Sequence, residues 1–517
     1  MPATVIALAA AATLGSAIVT TDRAVLRAAP RDGAPQQAQL WQGELLEVRA
    51  ERLDYLQVWD HARERGGYVK ATQVRRSALT AAEAPQLLAV LRFVRGAAGA
   101  ESLGIAIAAA YLRAAPAETV RGPEGAEALE ALGSLAERLA QRATEGAAAG
   151  KAQAALSAHV EVAGRYGVKF ASYEQDGRMR LCYEGDAFRR VLSLPATPQQ
   201  QARAALALTQ PGCVDPALAP SQRHEWNRWR AEVLERVELA GLPAYVSNRV
   251  VLRRAAVWST LAYEHARQAD GVGAAAAERA LGEGSAGAAA ASTTAAAAAA
   301  AQRAVAELAS ARKGELTDED QAAYNDAAMR VNASRWAAAP ALAAASAPSA
   351  PRAPRAGTRP SIVTQPGQPG ETCVLLVDAK HDAANPLARR CTYALVWPQS
   401  VSVNREGNAL ALAVQPMEAW RELWLFRQRG RQWTVDVLPP ASLQPGTGYA
   451  EFAGWVPGGR QVLVAREARG EGRYRRSYEV LSLDSLATQR QAGEPDALGP
   501  FQRWQDAGWT RMSVAVR

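Results

Sequence analysis

Apolar and polar residues alternate with period two in several short stretches near the start of the chain, the spacing of half-buried strands. Val25-Leu26-Arg27 enters a turn at Ala29-Pro30, Leu45-Leu46-Glu47-Val48 follows a turn at Gly43, and Tyr55-Leu56-Gln57-Val58-Trp59 and Gly67-Tyr68-Val69 come after it. Short strands this close together predict a small β-barrel over 18–77. The period then changes to helical. Ala126, Leu129, Leu132, Leu135 and Leu139 fall on one helix face behind Gly122-Pro123, and Thr80-Ala81-Ala82-Glu83 has capping-box spacing. A helical domain is expected over 78–268, with helices also starting at Thr197, Ser221 and Ser247. It is interrupted by a β-hairpin within 168–194, where 169–174 and 178–183 flank Asp176-Gly177. An Ala-rich helical stretch, 269–336, carries a cap at Thr317. Seven prolines mark 337–370 as a linker. Alternation returns over 371–517, with strands near 374–377, 392–396, 409–414, 423–426, 433–437, 461–464 and 478–483. The whole reads as a multidomain α+β chain: a small barrel, a helical domain with a hairpin insertion, and a C-terminal antiparallel β domain.

The first 17 residues, MPATVIALAAAATLGSA, are uncharged and apolar and end on small residues at Gly15 and Ala17. That fits an export signal cut after Ala17, although no Lys or Arg precedes the apolar run. The run is too short and too Ala-rich for a membrane span. The four cysteines form two local pairs, Cys182 with Cys213 and Cys373 with Cys391, without Cys-x-x-Cys spacing. Two structural disulfides in an oxidising compartment account for them, each worth about 3 kcal/mol in the chain-entropy account. Four separate buried thiols are the alternative. A periplasmic or secreted location follows from the first reading.

At 517 residues the chain is long enough for several domains. Its net charge of +8 does not mark a nucleic-acid binder. The cations are nearly all Arg, with Lys only at 70, 151, 169, 313 and 380, and they are scattered instead of gathered into one stripe.

The residues of 18–77 resemble the bacterial Src-homology-3-like domains of envelope proteins. Val25-Leu26-Arg27-Ala28-Ala29-Pro30 looks like their x-V-R-x-x-P opening, Gly43-Glu44-Leu45-Leu46-Glu47-Val48 like their hairpin, and Gly67-Tyr68-Val69 like their G-W-V ending with the aromatic changed. The resemblance implies an accessory or cell-wall-peptide-binding module, in which Trp41, Tyr55, Trp59 and Tyr68 either line a ligand groove or fill the barrel core. In the last domain, Gly454-Trp455-Val456-Pro457-Gly458-Gly459-Arg460-Gln461-Val462-Leu463 resembles the blade motif of TolB-like β-propellers, and Val403-Asn404-Arg405-Glu406-Gly407-Asn408-Ala409-Leu410 looks like a degenerate copy. Neither has the usual Asp before the turn Gly. The stretch is too short for four blades, so the resemblance implies an incomplete propeller or a related open fold.

Tests for chemistry return nothing specific. His61, His159, His224, His265 and His381 show no metal-ligand spacing, and His224-Glu225 lacks the second His of a zinc-protease helix. Gly271-Val272-Gly273-Ala274-Ala275-Ala276 matches a dinucleotide fingerprint only in letters, because it follows a helix. Glu283 stands where a nucleophile elbow needs Gly, and no activated Ser accompanies His381-Asp382. One tetratricopeptide-like stretch near Leu103-Gly104 has no second copy. Trp420, Trp424, Trp433, Trp455, Trp504 and Trp509 suit either sugar stacking and a protein hot spot or internal packing. No catalytic residue, cofactor or metal is expected. The reading is a non-catalytic exported binding or scaffold protein whose partner is an envelope protein or a peptidoglycan peptide, with no nucleic acid and no integral membrane span. The rival is a cell-wall hydrolase or peptidase that uses the barrel for targeting.

Overall fold

The computed structural model describes residues 15–145, 151–175, 178–279, 283–338, 359–441, 446–470 and 473–516. They divide into two compact units: residues up to 219 with 236–242, and residues 220–235 with 243–517. The division falls inside the helical region, and not at the Pro-rich segment. Most of that segment (339–358) lies outside the described residues, as do 1–14 of the expected export signal and the Asp176-Gly177 turn.

The first unit opens with β1 (Ser16–Val19), β2 (Ala24–Arg27), β3 (Gln36–Leu40), β4 (Leu45–Arg52), β5 (Tyr55–Asp60), β6 (Arg65–Lys70) and β7 (Val74–Ser77). These form one antiparallel sheet in the order β3-β2-β6-β5-β4-β1-β7, and no pairing joins its two edge strands. One face carries the core: Ala17, Val19, Leu26, Leu40, Leu46, Val48, Leu56, Val58 and Val69 are all buried together. Ser16 and Ala17, on the leader side of the expected cut, pair with Glu47 and Leu46 of β4 and with Ser77 and Arg76 of β7. The sheet therefore begins two residues earlier than the sequence reading placed it. At Gly67 an added Cβ would stand 2.7 Å from Leu26 Cγ, so the two strands approach as closely as they do only because this position lacks a side chain.

Helices α1 (Ala84–Val94), α2 (Glu101–Ala114), α3 (Ala117–Val120), α4 (Pro123–Glu145) and α5 (Lys151–Arg165) follow, then the hairpin β8 (Phe170–Gln175) and β9 (Arg178–Tyr183), α6 (Asp186–Val191) and α7 (Pro198–Leu208). Gly104 lets α2 meet α4, since a Cβ there would touch Leu135 Cδ1 at 2.7 Å. The expected Thr197 cap forms a full capping box with Gln200. The one expected at Thr80 does not form. Glu83 turns back instead, accepting from Ser77 Oγ at 2.7 Å and from the amides of Ala78 and Leu79 at 3.1 Å, and α1 starts after it. Those three donors satisfy the carboxylate better than one amide would, so the box loses.

The second unit contains α8 (Pro220–Glu235), α9 (Ala244–Arg279), α10 (Glu283–Ala309) and α11 (Asp318–Ser334). Thr317 caps α11 through Asp320 N at 3.2 Å. A three-stranded sheet follows, β10 (Ser361–Pro366), β11 (Thr372–Val377) and β12 (Ala388–Thr392). The β-branched run Ile362-Val363-Thr364 thus makes an edge strand inside the expected linker, where the missing amide of Pro366 is tolerated. Last come β13 (Leu395–Val403), β14 (Ala409–Met417), β15 (Trp420–Arg429), β16 (Gln432–Leu438), β17 (Thr447–Val456), β18 (Gln461–Gly470), β19 (Arg473–Ser482) and β20 (Thr488–Ala492), with helices at Gly499–Trp504 and Ala507–Val516. β13 to β16 and β17 to β20 are two antiparallel meanders, joined where β15 and β17 run parallel at Trp420↔Gly448 and Arg421↔Tyr449. The two motif copies read from the sequence occupy the corresponding first turn of each meander. The turns touch: Glu406 Oε1 accepts from Gly458 N at 2.8 Å. The architecture is multidomain α+β.

Candidate functional site

Strand alternation sorts the four aromatics of the first sheet. In β5 the core takes Leu56 and Val58, which leaves Tyr55, Gln57 and Trp59 on the opposite face. Register adds Tyr68, directly opposite Gln57 on one side and Arg27 on the other, and Lys70 opposite Tyr55. Tyr55, Trp59 and Tyr68 therefore share the face opposite that cluster, where Tyr55 is buried, only 5% exposed, and Trp59 and Tyr68 are half-buried.

Charges of both signs hold this face. Tyr55 donates its hydroxyl to Asp32 Oδ1 at 2.6 Å, and Lys70 Nζ lies 2.7 Å from the same oxygen. The Lys70 ammonium, then the Tyr55 hydroxyl, keeps the Asp32 carboxyl below its ordinary range, while Asp32 raises both Lys70 and Tyr55. The Arg49 guanidinium sits 4.5 Å over the Trp59 ring and 3.2 Å from Glu47 Oε1, and His61 Nε2 is 2.7 Å from Glu47 Oε2. His61, then Arg49, lowers Glu47. Flat rings flanked by a fixed anion and fixed cations can stack on a ligand and orient its polar groups.

Trp41 is not part of that face. It precedes β4 and packs edge-on against His159 of α5 at 6.3 Å, and His159 Nε2 meets Asp22 Oδ1 at 2.7 Å. Tyr166 OH donates to Gly43 O at 2.6 Å at the same junction. Trp41 is therefore a packing residue between sheet and helices.

The four cysteines are paired as expected, Cys182–Cys213 and Cys373–Cys391. Glu371 has a ligand atom within 4.8 Å of both Cys373 and Cys391, but sulfurs bonded to each other offer no thiolate to a metal.

A second cluster, missed by the sequence reading, is buried in the second unit. Arg421 of β15 is fully buried, with Nη2 at 2.7 Å from Glu451 Oε2 and Nη1 donating to Asn332 O at 2.5 Å. Arg335 Nη2 reaches the same Glu451 oxygen at 2.8 Å, and Trp509 Nε1 donates to Glu451 Oε1 at 2.7 Å. Tyr449 OH donates to Glu467. Burial pushes the Arg421 guanidinium down to about 10 and the Glu467 carboxyl up to about 8. A cavity of about 20 Å³, lined by Asn332, Tyr449, Glu451, Arg466, Tyr478 and Trp509 among others, has room for a single water-sized species. The cluster ties α11 and the last helix to the sheet. The signal for it was a Glu standing alone in an uncharged strand, as in Tyr449-Ala450-Glu451-Phe452.

No helix among the described residues is long and apolar enough to cross a membrane. Comparison of the chain with protein-family models, with curated proteins and with solved structures found no match.

Proposed function

We propose that the chain is an exported, non-catalytic binding or scaffold protein of the cell envelope, and that the face bearing Trp59 and Tyr68, backed by the buried Tyr55, is its contact surface. The observation that carries this reading is the register that gathers the half-buried Trp59 and Tyr68 rings and an Asp32–Lys70 pair on the side of the sheet opposite its buried cluster. Trp59 and Tyr68 stand outside the buried cluster and are only half-buried, whereas Tyr55 is buried and donates to Asp32. The two disulfides suit an oxidising compartment. In this reading the first sheet is the small Src-homology-3-like barrel, and the paired meanders of the second unit are two blades of a propeller-like domain. The partner is an envelope protein or a peptidoglycan peptide.

Co-sedimentation of the full chain with purified sacculi, and capture from envelope extract, test the proposal. Trp59→Ala and Tyr68→Ala should each weaken binding about 30-fold, the size of a ~2 kcal/mol anchor, with circular dichroism unchanged. Failure of the folded chain to bind either preparation, or unchanged binding by the double variant, would overturn it.

A further inference from the structure

Two histidines remote in sequence meet between α8 and α9. His224 of α8 and His265 of α9 have ring centres 4.9 Å apart at 78°. The His224 ring is held from behind: its Nδ1 lies 2.8 Å from Glu264 Oε2. Glu264 Oε1 accepts from Asn227 Nδ2 at 2.7 Å, and Asn227 Oδ1 accepts from Arg230 Nη1 at 3.0 Å. His224, Asn227 and Arg230 recur every three residues along α8, so one stripe of that helix meets Glu264 of α9. In the tautomer that directs the Nδ1 proton at the carboxylate, Nε2 of His224 carries the lone pair. His265 shares a side-chain hydrogen bond with Gln268. Its Nδ1 is buried with no hydrogen-bond partner.

An imidazole that gives one nitrogen's proton to a carboxylate and keeps the other as a lone pair is the usual state of a metal-bound histidine. Spacing agrees. Two imidazole nitrogens each about 2.0–2.1 Å from a tetrahedral ion place their ring centres about 5 Å apart. We propose that His224 Nε2 and His265 Nδ1 ligate one divalent transition ion of the Zn²⁺ or Cu²⁺ class, with Glu264 orienting His224 and solvent completing the coordination. Imidazole donors favour these ions over Mg²⁺ or Ca²⁺. The site lies in the second unit and does not depend on the aromatic face of the first.

Calorimetric titration of the full chain with Zn²⁺, and electron paramagnetic resonance of the Cu²⁺-loaded chain, test the site. The expected result is one ion per chain with two coordinated imidazole nitrogens. His224→Gln and His265→Gln should each weaken binding at least tenfold. Glu264→Gln should weaken it about 10- to 100-fold without changing the stoichiometry. His61→Gln and His381→Gln should leave it intact. Binding that survives both His224→Gln and His265→Gln would overturn the proposal. So would a Cu²⁺ spectrum of the unaltered protein without directly bound imidazole, a readout that needs no variant to fold.

Discussion

Replacing Glu467 by Gln should make the protein more stable at high pH and change little at low pH. Glu467 is 1% exposed on β18. Burial raises its carboxyl from an ordinary 4.5 to about 8; the Tyr449 hydroxyl, then Arg476, pulls the other way, and the Glu451 charge adds to the rise. Between these two values the folded chain holds a proton that the unfolded chain has lost. The folded state then binds more protons, so stability falls as pH rises through that window, by about 1.4 kcal/mol per pH unit for this group. The full window gives a ceiling of about 5 kcal/mol, and relaxation around the ionised group reduces it to about 3. Gln is close in shape, can accept from Tyr449 and stays neutral throughout. Urea denaturation followed by Trp fluorescence should show both proteins within about 1 kcal/mol at pH 5 and the variant ahead by about 3–5 kcal/mol at pH 9. Carboxylates with lowered pKa values, such as Asp32, lose stability as pH falls, but they are common to both proteins and cancel in the difference. A gap that does not change between pH 5 and pH 9 would refute the reasoning.

Replacing both Cys182 and Cys213 by Ala opens a closure between residues 31 apart and should cost about 4 kcal/mol in chain entropy, read as a lower denaturation midpoint under oxidising conditions. A loss indistinguishable from that of the reduced parent confirms the bond, and no loss contradicts it. Mass spectrometry of the mature chain from an envelope fraction should show Ser16–Val19 retained, because Ala17, Ile18 and Val19 are fully buried in β1; a mature chain starting at Ile18 contradicts this.

Patterns confined to a few neighbouring residues were readable in advance. Alternation over 55–59, the Thr197 and Thr317 caps and most strands of the last domain depend on local geometry and appear. The stretch expected as a strand over 392–396 is instead broken at Tyr393-Ala394, between Ala388–Thr392 and Leu395–Val403. The local cysteine pairs were readable because short closures are the easiest to make. Features that depend on which elements pack together were not. Thr80 has a capping sequence, but Glu83 finds better donors upstream. The run Ile362-Val363-Thr364 becomes a strand only because Thr372–Val377 pairs with it. Trp41 and Trp59 look alike in sequence, and only α5 makes one of them a packing residue. His224 and His265 carry no spacing signal, since two helices bring them together. Glu451 did leave a trace, a single charge inside the otherwise uncharged strand Thr447–Val456.

Site-specific photocrosslinking reaches the central claim most directly. A benzophenone amino acid replaces Tyr68 in the exported full-length chain, and a second preparation carries it at Met179, an exposed position on the separate β8–β9 hairpin. Illumination of intact cells should give a discrete adduct to an envelope protein or to peptidoglycan from position 68 and none from position 179, and Trp59→Ala should abolish the adduct. No adduct from position 68, or the same adduct from both positions, would contradict the assignment of the aromatic face as the binding surface.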